Sequence, residues 1–437
     1  MAARDLRSAT SFGRGLAVLT AAGLAVRIAF LLLEPRAELA GDESTWTALA
    51  FTGLLRLRHP FSPLKSPILF YPPAYPYFIA AAYAGLGSLQ AVKWVQAVLG
   101  ALLVPAVGRA GVSAFSARAG LLAAGAAAFY PELVWFSVHF WSETLFLVLL
   151  WWGFERALAA HVSGRWGAAA AGGALWGLAA LTRETALYFA PVVGLFLAWP
   201  RPAVEGERAA RRPAPAAAFL AAVTLTVAPW TWRNWVVFHA FVPVSTFGAH
   251  SLWQGNTRLP LAEFYRQTDS VPDPIPQYRL ARARAFAAIR ERQPLWLIEK
   301  LRVELPELWA PASHVFVLID RDAYGPVGPM TRRIVRVVTV APYLAIVALA
   351  VPGLAALQLT PGRGLLLGFL VYYNVLHVVT YGQDRFRLPV MPVLFLVAGE
   401  AWASWRAGTV PTLTTGRRIL RWALILLAAA VVLPGFF

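Results

Sequence analysis

Apolar residues along the chain fall in long, nearly unbroken runs, as in Leu16–Leu33, Phe189–Trp199 and Leu365–Val379. Apolar runs of about 18–20 residues match the hydrocarbon thickness of a bilayer. Inside lipid only helices and closed barrels satisfy every backbone polar group, and these runs lack the period-2 alternation of a barrel strand. The pattern therefore predicts helices. Eleven segments qualify: Leu16–Leu33, Ala91–Gly108, Ala119–Trp135, Thr144–Ala157, Gly167–Leu181, Thr185–Trp199, Ala216–Thr231, Ile334–Val351, Leu365–Tyr381, Leu388–Trp405 and Ile419–Leu433. The expected fold is an all-α polytopic membrane protein with about eleven transmembrane helices (range ten to thirteen), forming one domain over residues 1–437.

Composition strengthens this picture. The chain is 58% hydrophobic and only 14% charged, with a mean hydropathy of +0.57, whereas soluble domains carry about a quarter charged residues. The net charge of +17 does not point to nucleic acid, because the arginines lie at the ends of apolar runs and not on one polar face. Membrane lipid head groups are the expected counter-charge. The absence of cysteine excludes disulfides, thiolate metal sites and cysteine nucleophiles. No small-residue cleavage site follows the first apolar run, which reads as a retained span in a plasma (bacterial inner) membrane.

Charge also sets the topology. With the N-terminus cytoplasmic, the short inner segments hold 16 arginines and the short outer loops hold Arg183, Arg385 and Arg387. Counting Tyr77–Leu86 as a further span would place 13 of those 16 outside, and at about 1.5 Å per residue it is too short to cross. The outer loops are then Glu34–Gln90 and Trp232–Arg333, with no soluble domain expected after the last span. Arg332, Arg333 and Arg336 sit at the outer end of a span against this bias.

Within the first outer loop, Trp46, Leu49, Ala50, Gly53, Leu54 and Leu57 recur at helical spacing behind Asp42, Glu43 and Ser44. This predicts an interfacial amphipathic helix with acids at its positive end. Tyr71-Pro72-Pro73 breaks the chain before a second interfacial or re-entrant segment, Tyr77–Leu86. The long loop is expected to be polar and proline-rich over Leu259–Pro276, with one or two helices over Tyr278–Trp309. Asp42 and Glu43 stand eight to ten residues past the first span, at the bilayer surface. They read either as a helix-capping pair or as carboxylates placed where a lipid-borne phosphate can meet a water-borne hydroxyl. Further polar clusters share that face: Glu132, His139, Glu143, Arg183-Glu184, Arg233-Asn234 and Gln383-Asp384-Arg385-Phe386-Arg387. Each alone reads as a snorkelling or paired helix end. Together they suit a phosphate leaving group and an attacked hydroxyl. Arg27, inside the first span, calls for a partner within the protein.

At these residues the sequence resembles the GT-C superfamily, in particular the branch of protein O-mannosyltransferases and lipid A aminoarabinose transferases (glycosyltransferase family 39-like). The resemblance is carried by Gly41-Asp42-Glu43, Tyr71-Pro72-Pro73-Ala74-Tyr75-Pro76-Tyr77, Tyr130-Pro131-Glu132, Trp141-Ser142-Glu143-Thr144-Leu145-Phe146 and Leu181-Thr182-Arg183-Glu184. It continues through Pro229-Trp230-Thr231-Trp232-Arg233-Asn234, Leu252-Trp253-Gln254-Gly255-Asn256 and Arg385-Phe386-Arg387-Leu388-Pro389. It implies an inverting transfer of a sugar from a polyprenyl-phosphate donor to a hydroxyl acceptor (lipid, glycan or protein) on the extracytoplasmic face. It also implies that Asp42 is the base with Glu43 beside it, and that Lys65, Arg233, Arg385 and Arg387 hold the donor phosphate. Glu143, Tyr71, His139 and Arg183 would support the acceptor or a divalent metal, for which Asp42 and Glu143 are the candidate ligands. Two other functions compete: a multi-pass transporter or flippase, and a lipid-diphosphate glycan polymerase or ligase. The first would place ionisable groups at midplane in repeated halves, whereas here the acids gather at one face.

Overall fold

A computed structural model of the chain describes residues 2–33, 39–57, 69–200, 213–257, 259–409 and 413–432. Among these residues it is helical throughout, with no strand. Helix α1 (Ala2–Leu33) carries the first apolar run, and α2 (Asp42–Leu57) and α3 (Ala74–Leu86) lie in the connection that follows it. Trp46, Leu49 and Ala50 bury one face of α2 against Tyr75, Ile79 and Ala80 of α3, as the spacing predicts. The part of that face assigned to Gly53, Leu54 and Leu57 lies outside the described side chains.

The next helices are α4 (Leu89–Ala114), α5 (Ala117–Phe129), α6 (Pro131–Phe136), α7 (Glu143–Ser163), α8 (Trp166–Thr182), α9 (Thr185–Ala198) and α10 (Pro213–Phe238). The predicted span Ala119–Trp135 is divided here. Tyr130 is extended (φ −63°, ψ 118°) because the following Pro131 disfavours a helical residue before it, and α6 restarts at that proline.

The long connection expected over 232–333 contains α11 (Phe247–Thr257), α12 (Leu261–Asp269), α13 (Pro274–Glu291), α14 (Trp296–Trp309) and α15 (His314–Asp320), and α13 and α14 are the helices expected over Tyr278–Trp309. The polar, proline-rich stretch before them contains α12, where Glu263 accepts from Arg266 and Gln267 one turn on. Helices α16 (Pro329–Ala356) and α17 (Pro361–Val379), a 3₁₀ turn (Asp384–Val390), α18 (Met391–Arg406) and α19 (Thr415–Val432) complete the chain. Helix therefore overlaps each of the eleven predicted segments. Among the described residues seven helical stretches are long and apolar enough to cross a membrane, and α5, α8, α9 and α19 are not counted with them. The chain is a multi-span membrane protein.

Two contacts explain how the bundle closes. Where α4 and α5 cross, a Cβ on Gly120 would lie 2.5 Å from the Gly108 carbonyl oxygen, so only glycine permits that approach. Arg27 of α1, fully buried, donates through Nη1 to the Ala128 carbonyl (3.0 Å) and through Nη2 to that of Ala127 (3.3 Å). It thereby answers the negative C-terminal end of α5, and this is the internal partner its position demanded. Two of the three arginines at the start of α16 also have partners: Arg332 pairs with Asp320 (3.3 Å) and Asp322 (2.7 Å), and Arg336 lies over Phe316.

Gly120→Ala should destabilise the protein by about 1–3 kcal/mol through overpacking. The measurement is the thermal midpoint of detergent-solubilised protein, and an unchanged midpoint would show that the α4–α5 contact is looser than described.

Candidate active site

The chain enters α2 through Gly41, whose φ of +58° places it in the left-handed region that favours glycine. The two acids that follow diverge. Asp42 points to the surface with 48% of its side chain exposed, and its Oδ2 accepts from Arg385 Nη1 at 2.8 Å. Glu43 is buried: its Oε1 accepts from the Phe140 amide (2.8 Å), and its Oε2 from the Ala40 amide (3.2 Å) and the Tyr324 hydroxyl (3.1 Å). Glu43, expected as the second member of a catalytic pair, instead fastens α2 to the turn between α6 and α7.

Arg385 reaches Asp42 from the 3₁₀ turn. Its Nε donates to Gln383 Oε1 (3.0 Å), and its guanidinium lies over Trp141 (4.8 Å) and Phe386 (5.2 Å). Arg183, in the turn between α8 and α9, lies over the same Phe386 ring at 5.7 Å and donates to Glu143 Oε1 at 2.6 Å. One aromatic ring thus carries two guanidinium groups, each answered by a carboxylate. Glu143 is buried, so removing Arg183 would strand a charge, a loss of about 3–5 kcal/mol in such pairs.

Four buried polar atoms in this neighbourhood have no hydrogen-bond partner: Glu143 Oε2, Trp141 Nε1, His314 Nε2 and Asp384 Oδ2. Buried polar atoms are nearly always satisfied, so four such atoms around one arginine mark a place built to meet something else. His314, at the start of α15, packs edge-on against Trp141 at 5.1 Å. Burial, reinforced by the positive charge of Arg385, pushes its imidazole down to about 4, leaving it neutral near pH 7. Tyr71 edges against Trp46 at 5.3 Å and stacks on Phe247 at 5.6 Å. Burial and then the carboxylate of Asp42 push its hydroxyl up, so it remains a proton-bearing donor. The Tyr381 hydroxyl is also raised by burial and sits close enough to feel both Arg385 and Asp42.

The other expected site residues lie differently. Arg387 does not face the cluster. It is buried, donating to the carbonyls of Ala310 (2.5 Å) and Ala312 (2.6 Å), lying over Tyr343 at 4.0 Å and standing 4.0 Å from Glu132. Its Nη1 and Nη2 tie the 3₁₀ turn to the chain just after α14, away from Asp42, which corrects the expectation of a phosphate ligand. Arg233 is also buried, packed over Trp230 (4.8 Å) and Phe238 (5.1 Å) and donating to Asn234. Those contacts belong to the end of α10. His139 stacks on Trp135 at 4.0 Å with its Nδ1 2.9 Å from that residue's carbonyl, a packed position in the α6–α7 turn. Lys65 lies outside the described residues.

No group of three or more His, Asp or Glu side chains is placed to hold a metal among the described residues. Asp42 and Glu143 are each neutralised by an arginine, so a dication would have to displace a guanidinium; this donor set does not fit a resident metal. His314 and Tyr381 were not singled out from sequence and carry no motif, whereas Gln383 was quoted within the arginine cluster without a role of its own.

The fold is that of a multi-span helical membrane protein, and part of the chain is similar to known membrane glycosyltransferases. Residues 71–232 match the family model described as dolichyl-phosphate-mannose-protein mannosyltransferase. The apo crystal structure of the Archaeoglobus fulgidus oligosaccharyltransferase is similar, with TM-score 0.54 at 14% identity over 97% of this chain and 55% of that one. The archaeal oligosaccharyltransferase AglB of the same organism, in complex with an inhibitory peptide and a dolichol-phosphate, gives 0.54 at 16% identity with the same coverage. The chain spans about half the length of these solved structures. No curated protein matches it as a relative.

Two outcomes follow for stability. Arg387→Ala should lose about 3–5 kcal/mol, stranding Glu132 and several carbonyls, whereas Arg385→Ala, opposite a half-exposed Asp42, should lose about 1 kcal/mol or less. Chemical denaturation of the two variants side by side checks the order, and equal losses would contradict the assignment. Glu184, in the α8–α9 turn, accepts from Ser245 at 2.9 Å, and burial pushes its carboxyl up to about 7. The folded state then holds a proton that the unfolded chain releases near 4.5, so this group's contribution falls as pH rises from about 4.5 to 7. Glu184→Gln should therefore gain stability relative to wild type between pH 5 and pH 8; melting curves with parallel pH dependence would refute this.

Proposed function

We propose that the chain is an inverting glycosyltransferase that moves a sugar from a polyprenyl-phosphate donor to a hydroxyl acceptor at the extracytoplasmic membrane surface. The observation that carries this reading is the Asp42–Arg385 pair, half open to water on one side and backed by partnerless buried polar atoms on the other. A similar fold in a protein captured with dolichol-phosphate supports a lipid-phosphate donor.

In this scheme Asp42 takes the proton of the acceptor hydroxyl as its oxygen attacks the anomeric carbon. The bond from that carbon to the phosphate oxygen breaks, and the electron pair leaves with the polyprenyl phosphate. Arg385 uses one donor on Asp42 and one on Gln383, which leaves part of its fork for the phosphate. Arg183 supplies a second positive charge, held in place by Glu143. Stacking on Trp141 and Phe386 fixes the Arg385 plane before substrate arrives, so stabilising the leaving group requires little rearrangement. The tail of the donor stays in lipid between helices. As placed here, neither Arg387 nor Glu43 takes part in these steps.

Asp42→Asn should lower transfer by about 10²–10⁴-fold, the usual contribution of a positioned base, while leaving the melting temperature within a few degrees of wild type. The assay offers purified protein a panel of radiolabelled polyprenyl-phosphate sugars and follows label into lipid, glycan and protein fractions. Transfer by the Asn variant within tenfold of wild type would remove Asp42 from the base role.

A further inference from the structure

The end of the bundle remote from Asp42 contains a cavity of about 750 Å³ between α16, α18 and α19. Helices α17 and α18 each have one end beside the Asp42 cluster, through Tyr381 and the 3₁₀ turn, and the other at this cavity, through Arg363 and through Trp402 and Trp405. The 19 residues of α17 span about 28 Å, close to the roughly 30 Å hydrocarbon core. The cavity therefore belongs to the opposite leaflet.

Its walls are apolar, including Leu349, Pro352, Val397 and Ala401. Its mouth is basic and aromatic. Glu400 is already engaged, accepting from Arg363 at 3.0 Å and from Ser116 at 2.7 Å. That leaves Arg418 and Arg421 on the lining without a carboxylate partner among the described residues: Arg418 donates to the Leu413 carbonyl, and Arg421 lies over Trp422 at 5.7 Å. Trp402 and Trp405 pack at 5.0 Å, and together with Trp422 they are at least 41% exposed. Exposed tryptophans of a membrane protein sit at head-group depth, and basic pockets between spans accept anionic lipid head groups.

We propose that this cavity is a binding site for one anionic phospholipid of the leaflet opposite the active site, with Arg418 and Arg421 on its phosphate and its acyl chains against α16 and α18. The volume falls within the range of ligand pockets, roughly 300–1,000 Å³. The charge surplus selects an anionic over a zwitterionic head group, and the depth of the apolar wall selects a lipid over free phosphate.

Native mass spectrometry of the full-length protein in detergent tests this, titrating phosphatidylglycerol and phosphatidylcholine of identical chains. Phosphatidylglycerol should bind preferentially, with Arg418→Ala and Arg421→Ala each weakening it about fivefold. Arg418→Lys/Arg421→Lys should retain most of the affinity, and Arg279→Ala/Arg284→Ala on the exposed face of α13 should have no effect. Ala401→Phe, which adds bulk to the apolar wall and leaves the charges alone, should weaken binding of the same lipid. Equal adducts of the two lipids, or full affinity in the double alanine variant, would overturn the proposal. So would competition by inorganic phosphate as effective as that of the lipid, or a preference for polyprenyl phosphate. Because the readout is lipid mass, the result does not depend on glycosyl transfer.

Discussion

A bundle made only of helices and set in lipid can tolerate a buried charge only where that charge is fully answered, and the turn leading into α18 is built on this constraint. Lys300, fully buried in α14, donates to the carbonyls of Gly255 (2.8 Å) and Thr380 (2.6 Å) and to Glu304 (2.6 Å). Glu304 in turn accepts from the Gly382 amide at 2.7 Å. On the far side of the turn, Arg387 is fixed to carbonyls at the end of α14. The segment is thus held at Thr380–Gly382 and again at Arg387, and Arg385 lies between the two fixed points. An arginine so placed loses little freedom when it meets Asp42, because the backbone beneath it is already ordered.

Much of the fold was legible because the bilayer restricts what apolar runs can do. Helix overlaps each of the eleven runs, and the amphipathic spacing from Trp46 to Ala50 packs on α3 as its period requires. What was missed depended on local chemistry weaker than that signal. Pro131 ends a helix inside an apolar stretch, and periodicity scores apolarity there without registering the missing amide. Helix α12 lies in a segment whose proline-rich composition did not announce it, with Pro260 at its entrance and one-turn contacts of Glu263 within it. Arg332 of α16 looked misplaced because its partners, Asp320 and Asp322, lie at and just beyond the end of α15, a helix the sequence did not announce.

The site was legible as a set of residue types and much less so as a division of roles. Asp42 and Glu43 are neighbours in sequence, yet a helix turns about 100° per residue, and one faces water while the other is enclosed. Arg385 and Arg387 look equivalent in the run Arg385-Phe386-Arg387. On a 3₁₀ turn, residues two apart point about 120° away from each other, so one meets Asp42 and the other enters the protein. Arg183 and Glu143 were expected to support the acceptor, and their pairing across 40 positions could not have been read from either motif alone. His314 had no motif at all, and only packing against Trp141 brings it near the cluster.

Exposure explains why, in the proposed scheme, the Asp42–Arg385 pair can exchange partners while the enclosed pairs stay fixed. Asp42 is 48% exposed and Arg385 14%, so water screens the acid and much less the base of the arginine's support. Such a pair is individually weak, and a substrate phosphate, with its greater charge density, can compete for the guanidinium. The Lys300–Glu304 and Glu143–Arg183 pairs are too enclosed for that exchange, since parting them would strand a charge without water. In the proposed scheme a donor phosphate that takes up the rest of the Arg385 fork would share its positive charge and so weaken its hold on the carboxylate of Asp42, without moving the stacked guanidinium plane. Donor binding and base availability would then be linked through one guanidinium, which favours transfer only when the lipid-borne substrate is in place.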